Sequence, residues 1–466
     1  MISVRNITVT YPWSNQTALK NVSLQLSRGE IGLLLGHNGS GKSTLLHCLS
    51  GLIPHMQQAG IEGECRVSQK TGIVLQDSDI FLLPTVAEEL EFPLYNQGWP
   101  AEKRRCKLQQ LASLFQLDPL MNRPVHTLSG GERQRVALAA AMAPDPPILL
   151  LDEPLAQMDS DFTAKIISLL KEMASKGTCI LIASTSSYLY QALETKCFLM
   201  VKGEIYWQGS SQDFQKRWEE AKSLGIDVDG SSFLKNCLWK SPERKEKATP
   251  LPVMIMNNIF YSYGQDFSVD NISLSIRAGE IVALTGPNGS GKSTLLKLAA
   301  GILQPKKGEV CILGKSIKGL PIAQATAGSG FLFQNPDHQI FQDKVIKEVA
   351  WGLKMRKINP SLIPPRVEKW LQRLQIEHLA EEHPYSLTKS DRQWVALAGV
   401  LAQEQALLLL DEPTHGMDCI SAGRFMEVIA ELAAANTAVF MVTHHRELAE
   451  RCAHRVLYME KGRFPA

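Results

Sequence analysis

Cysteine is scarce and scattered in this chain of 466 residues: nine in all, with no CxxC pair and no Cys/His cluster at zinc spacing. That excludes a disulfide framework or a zinc ribbon and predicts reduced thiols. Charge of one sign is not in excess. The 49 Lys and Arg against 47 Asp and Glu leave a formal net charge of +2, which makes no case for nucleic acid as a partner. Long hydrophobic runs are missing as well. The longest aliphatic stretches, residues 148–151 and 406–410, have the length of buried strands and fall far short of the roughly 20 residues that span a bilayer. The opening MISVRNITVTY lacks the basic-then-apolar order of a secretory signal. These absences predict a cytoplasmic chain, which would need membrane subunits on other chains for any transport role.

What is present is ordinary globular material, 44% hydrophobic and 21% charged, in a chain long enough for roughly two to four domains. It is organised as an internal repeat. GHNGSGKST occupies residues 36–44 and GPNGSGKST residues 286–294. Lys42 and Lys292 are 250 residues apart, Gln76 and Gln334 258, and Asp152 and Asp411 259. The growing offset predicts about eight extra residues in the second half, in a surface hairpin around 315–328. Each half reads as a buried strand (31–35, 281–284), a glycine loop, a helix beginning at Ser43 or Ser293, and later a buried strand ending in Asp152 or Asp411. Such alternation predicts an α/β fold, a parallel sheet flanked by helices. The expected boundaries are 1–211 for the first domain, 212–251 for its tail and linker, and 252–466 for the second domain. Within that segment a charged helix is expected at 214–224, a turn at 227–231 and a solvated basic run at 240–247.

The glycine loops carry the chemistry. The pattern G-x-x-x-x-G-K-[ST] places backbone N–H groups around phosphates at a helix N-terminus, and its glycines allow a backbone that a Cβ would forbid. The first loop comprises Gly36, His37, Asn38, Gly39, Ser40, Gly41, Lys42, Ser43 and Thr44; the second comprises Gly286, Pro287, Asn288, Gly289, Ser290, Gly291, Lys292, Ser293 and Thr294. Lys42 and Lys292 supply point charge to ATP phosphates, and Ser43 and Ser293 offer hydroxyls to Mg²⁺. ILLLDEP and LLLLDEP then end in paired acids. Asp152 or Asp411 would hold Mg²⁺, while Glu153 or Glu412 would orient and deprotonate water. Cys48 reads as packing, and His415 and His445 as solvated.

LSGGERQRVALAAAMA at 128–143, followed by LLLDEP, resembles an ATP-binding cassette, and both halves are similar to that family nearly throughout. The resemblance implies two P-loop NTPase domains, each with a RecA-like mixed-sheet core and a helical subdomain, paired head to tail around two ATPs. It also implies that Tyr11 and Tyr263 stack on adenine. Gln76 and Gln334 would sit at the Mg²⁺ and the attacking water, linking nucleotide state to a membrane partner. Asp159 and Asp418 would lie at the interface between halves. Under that pairing one site combines Lys42, Gln76, Asp152, Glu153 and Thr185 with Thr388, Lys389, Ser390 and Asp391. The other combines Lys292, Gln334, Asp411, Glu412 and His444 with Ser129, Gly130, Gly131 and Glu132. The second inventory is complete. The first lacks the imidazole, and its signature reads LTKSD where the other half has LSGGE.

FLFQNPDHQIFQDKVIKEVAWGL, at 331–353, resembles the glutamine loop of ATPases from energy-coupling factor transporters. That family implies uptake of a vitamin or of cobalt or nickel ions. Its partners are a transmembrane coupling protein and a small substrate-binding membrane protein, with the ATPase peripheral on the cytoplasmic membrane face and higher oligomers still open. Two alternatives remain. A fused sugar-importer ATPase would carry a glycine-rich second signature, and a tandem-cassette factor acting on ribosomes would carry two intact signatures and a long basic linker.

Overall fold

Leu33, Leu34 and Leu35 are consecutive and all buried, yet they serve two different cores. Side chains alternate across a strand. Leu33 and Leu35 therefore join Leu149, Leu151, Ile180 and Ile182, while Leu34 joins Leu45, Leu150 and Leu181. A strand covered on both faces needs such an unbroken apolar run, the mark of a parallel sheet between two layers. The second half repeats this, with Ala283, Leu408, Leu410 and Met441 on one face and Leu284, Leu407, Leu409 and Phe440 on the other.

The computed structural model describes residues 1–12, 17–55, 59–67, 70–76, 81–155, 158, 160–229, 252–264, 268–287, 289–443 and 446–465. The chain divides into two compact units, Met1–Ser232 and Phe233–Ala466. In the first, the central sheet runs Thr71–Val74, Ile148–Asp152, Cys179–Ser184, Ile31–Leu35, Lys196–Val201, Glu204–Ser210, with five parallel strands and the last antiparallel. Helix Lys42–Ser50 and a three-stranded antiparallel sheet cover one face. Helices Val86–Asn96, Gly130–Met142 and Ser160–Ser175 contribute to the core on the other.

The second unit has five parallel strands in the order Ser329–Leu332, Leu407–Asp411, Ala438–Val442, Ile281–Thr285, Arg455–Tyr458, and a four-stranded antiparallel sheet beside them. The mixed core sheet expected for both halves is thus present in the first, whereas the second core sheet is all parallel among the described residues. Each half has its helical subdomain, built in the second from Val345–Met355, Ile363–Arg373 and Lys389–Leu401. Among the described residues no helix is long and apolar enough to cross a membrane.

The connections depart from expectation. The charged helix expected at 214–224 is two short helices, Ser211–Gln215 and Trp218–Ser223, whose Phe214 and Ala221 enter the first core. Apolar burial on one face of each helix ties this tail to the first unit. Asp227, expected in a turn, instead forms a parallel bridge to Ser186. The remaining linker, with its basic run at 240–247, lies outside the described residues. The extra residues of the second half form more than a hairpin: Lys315–Ser316 pairs with Lys307–Ile312, and helix Ile322–Ala325 follows.

Candidate functional site

Leu35 and Ser184 end neighbouring parallel strands in register. The residues that follow, Gly36 and Thr185, therefore leave the sheet side by side, and Asp152 ends the next strand along. Ligand chemistry in open α/β sheets collects at this carboxyl edge.

Gly36 has no room for a side chain, since a Cβ would lie 2.5 Å from the Met200 carbonyl oxygen and from Ser40 Oγ. Gly41 caps helix Lys42–Ser50 at φ +102 and Gly291 caps Lys292–Ala299 at φ +104, neither helix having a side-chain cap. Each helix start thus leaves N–H groups for an anion. Gly39 and Gly289 are likewise left-handed, at φ +75 and +77. Lys42 is buried, its Nζ donating to the carbonyls of Gly36 at 2.7 Å and His37 at 3.0 Å. Lys292 donates to Gly286 and Pro287, both at 2.9 Å. The hydroxyls of Ser40 and Ser290 are buried without a partner. His37 Nδ1 lies 2.6 Å from the Asn38 carbonyl oxygen. Asn288 lies outside the described residues, as do Asp159, His444 and His445.

Asp152 and Asp411 are buried at their strand ends, and Ser293 Oγ donates to Asp411 Oδ1 at 3.0 Å. Burial pushes the Asp411 carboxyl up to about 6. Glu153 and Glu412 follow at φ +46 and +47, their N–H groups donating to Ala183 and Val442 at 3.0 Å each. The Glu153 carboxylate accepts from Ser184 Oγ at 2.9 Å and from the Thr185 N–H at 2.6 Å. Burial raises its pKa, opposed chiefly by the Lys42 charge. Gln76 and Gln334 are half-buried, two residues past strands that pair with the acid-bearing ones.

The two tyrosines expected to be equivalent are placed differently. Tyr11 packs on the first core with its hydroxyl 3.3 Å from Thr44 Oγ1. Tyr263 is 61% exposed and meets Tyr261 edge-on at 5.0 Å. The signature segments differ too. Ser129 caps helix Gly130–Met142 in a capping box with Glu132, whose Oε2 accepts from the Ser129 N–H at 2.7 Å, and Gly130 and Gly131 follow as bare backbone. Thr388 caps Lys389–Leu401, accepting from the Asp391 N–H at 3.2 Å, and here Lys389 and Ser390 project side chains from the first turn.

Three contributors went unnoticed in the sequence. Ser184 holds Glu153, and Gln134 Nε2 holds its carbonyl at 2.9 Å. Tyr190, buried, lies beside Ser184 and Glu153. Only Gln134 carried a signal: both signatures, intact or not, are followed by Arg-Gln (Arg133–Gln134 and Arg392–Gln393). Cys48 is packing, as expected. Burial and the neighbouring Cys65 push its thiol up to about 12, so at pH 8 it carries little thiolate. Iodoacetamide at that pH is expected to label exposed Cys106 and spare Cys48; peptide mass spectrometry reads the difference.

The family model for ABC transporters matches residues 19–156 and 269–415, one stretch in each half. An ABC transporter ATP-binding protein of Methanosarcina mazei is 33% identical, over 99% of this chain and 94% of its own. A Bacillus subtilis protein, YkoD, named for HMP/thiamine import, is 30% identical over 98% of this chain and 90% of its own. Among solved structures, cbiO1 of Clostridium perfringens, part of the complex cbiONQ, is 30% identical over 46% of this chain and 87% of its own, at a TM-score of 0.43.

Proposed function

The chain belongs to the ABC transporter ATP-binding family, whose members are ATPases that bind ATP, and on that premise we propose that it powers uptake of a vitamin or a cobalt or nickel ion through an energy-coupling factor transporter. Its partners in this reading are a transmembrane coupling protein and a small substrate-binding membrane protein at the cytoplasmic face. The name of the Bacillus subtilis relative favours the vitamin branch.

In this reading the two units would pair head to tail, with the loop of one facing the signature helix of the other. The carrying observation is the contrast between those helix starts: Gly130 and Gly131 after the Ser129 cap, against Lys389 and Ser390 after Thr388. Bare backbone leaves nothing between the first N–H groups of a helix and a phosphate, whereas Lys389 adds a long side chain at that place. The site with Lys292 turns over ATP, and the site with Lys42 holds it. Mg²⁺ fits the donors present, a serine hydroxyl bonded to a buried carboxylate that burial alone would leave partly protonated. When bound, it supplies positive charge to the phosphate oxygens. Ser293 and Asp411 would hold that ion, Lys292 and the helix N-terminus would hold the phosphates, Glu412 would take the proton from water, and His444 and Gln334 would orient the reacting groups. At the other site Ser43, Asp152 and Lys42 keep the binding role, while Thr185 brings no imidazole.

Affinity purification of the tagged chain from detergent-solubilised membranes tests the transport reading. Two small hydrophobic membrane proteins are expected to co-elute, and cells without the chain should lose uptake of a labelled vitamin or of cobalt or nickel. Sedimentation with ribosomes instead would overturn it.

A further inference from the structure

From Ser187 on, the two halves are built differently. In the repeat, Ser187 corresponds to Arg446, where helix Arg446–Cys452 begins. The first half has only a short 3-10 turn, Tyr188–Tyr190, capped by Ser187 without a side-chain bond. The N–H groups of Ser187 and Tyr188 donate instead to the Asp227 carbonyl, at 2.7 and 3.3 Å. The Asp227 N–H returns a bond to the Thr185 carbonyl at 3.0 Å, Ser186 Oγ donates to Asp227 Oδ2 at 3.3 Å, and Gln191 Nε2 donates to the Val228 carbonyl at 2.8 Å. Ile226 and Val228, both fully buried, root this segment in the first core.

The same loop is gripped from below. Glu153 takes the Thr185 N–H at 2.6 Å, Ser184 Oγ accepts from the Ser186 N–H at 3.1 Å, and Tyr190, at the repeat position of Ala449, is buried. Thr185 leaves the sheet beside Gly36, the first residue of the Lys42 loop.

We propose that residues 226–229 are a strap that fixes the Thr185 loop, so that nucleotide bound at Lys42 leaves only when the strap peels away. The proposal rests on the reading that this site retains nucleotide. It adds the device that does the retaining, a tail segment no catalytic motif includes. The strap acts through backbone bonds, so truncating its buried anchors loosens it while the site's own residues stay in place.

The test compares the full-length chain with Ile226→Ala/Val228→Ala, each loaded with labelled ATP and passed through a desalting column. Lys42→Ala and Lys292→Ala controls assign any retained nucleotide to its site. The wild type is expected to keep nucleotide that depends on Lys42, and the double variant to release it about tenfold faster or more, as loss of one or two net hydrogen bonds implies. Hydrogen exchange at the amides of Thr185, Ser187 and Tyr188 should rise in the same variant, with steady-state ATPase unchanged. Raised exchange with unchanged release overturns the strap and leaves retention standing. Fast release from the wild type overturns retention itself, and the strap with it. Should the double variant fail to fold, Gln191→Ala, which removes only the bond to Val228, is measured in the same way; unchanged release there overturns the strap.

Discussion

Replacing Glu412 by glutamine is expected to cut steady-state ATP hydrolysis by about a hundredfold or more, while Glu153→Gln costs less than about twofold, the range that removing one general base allows. Both residues follow a buried aspartate at the end of a parallel strand, and both have nearly the same backbone. What separates them in the proposed pairing is the signature each would face, since both stand near the lysine of their own loop, Lys42 or Lys292. Glu412 would face the signature that begins Ser129, Gly130, Gly131, and Glu153 would face Lys389 and Ser390. Phosphate release measured side by side reads the ratio. Equal losses would remove the asymmetry.

Gly286→Ala is expected to reduce turnover by about a hundredfold while leaving nucleotide at Lys42 in place. An added Cβ would sit 2.1 Å from the Met459 carbonyl oxygen, at a backbone φ of +146 that side chains rarely adopt. Backbone strain and overpacking each cost about 1–3 kcal/mol, and the obstacle is another strand end, which cannot rotate aside as a side chain would. Relief requires the loop to shift, and the loop is what carries the carbonyls that hold Lys292. Circular dichroism and single-site nucleotide binding separate a misplaced loop from an unfolded domain. Normal turnover would show that the loop can move without harm.

The core strands and the two phosphate loops were legible in the sequence because the physics is local. A strand buried on both faces must be apolar throughout, and a phosphate loop needs its glycines at fixed spacing; Leu33, Leu34 and Leu35 before Gly36 show both at once. The tail was legible only in outline. Phe214 and Ala221 pack on the first core, yet the stretch read as one charged helix, because the break at Lys216 and Arg217 has no proline or glycine to announce it. The contact of Asp227 with Ser186 and Ser187 is carried mainly by backbone groups, which every residue has, so no motif marks it. Tyr190 was hidden for the opposite reason: a buried tyrosine looks like any core aromatic until its neighbours are known.

The matching backbone of the two glutamates has an engineering consequence. A glutamate at φ near +46 holds a left-handed conformation that glycine adopts freely, at a cost of about 1–3 kcal/mol. The cost is the same in both halves, because the turn is shaped by the sheet, through the bonds to Ala183 and Val442, and not by turnover. Selection of variants for heat resistance alone would therefore pull positions 153 and 412 alike toward glycine. Only a screen that also demands hydrolysis would keep an acid at 412, so a thermostabilised form of this motor has to be sought under both pressures together.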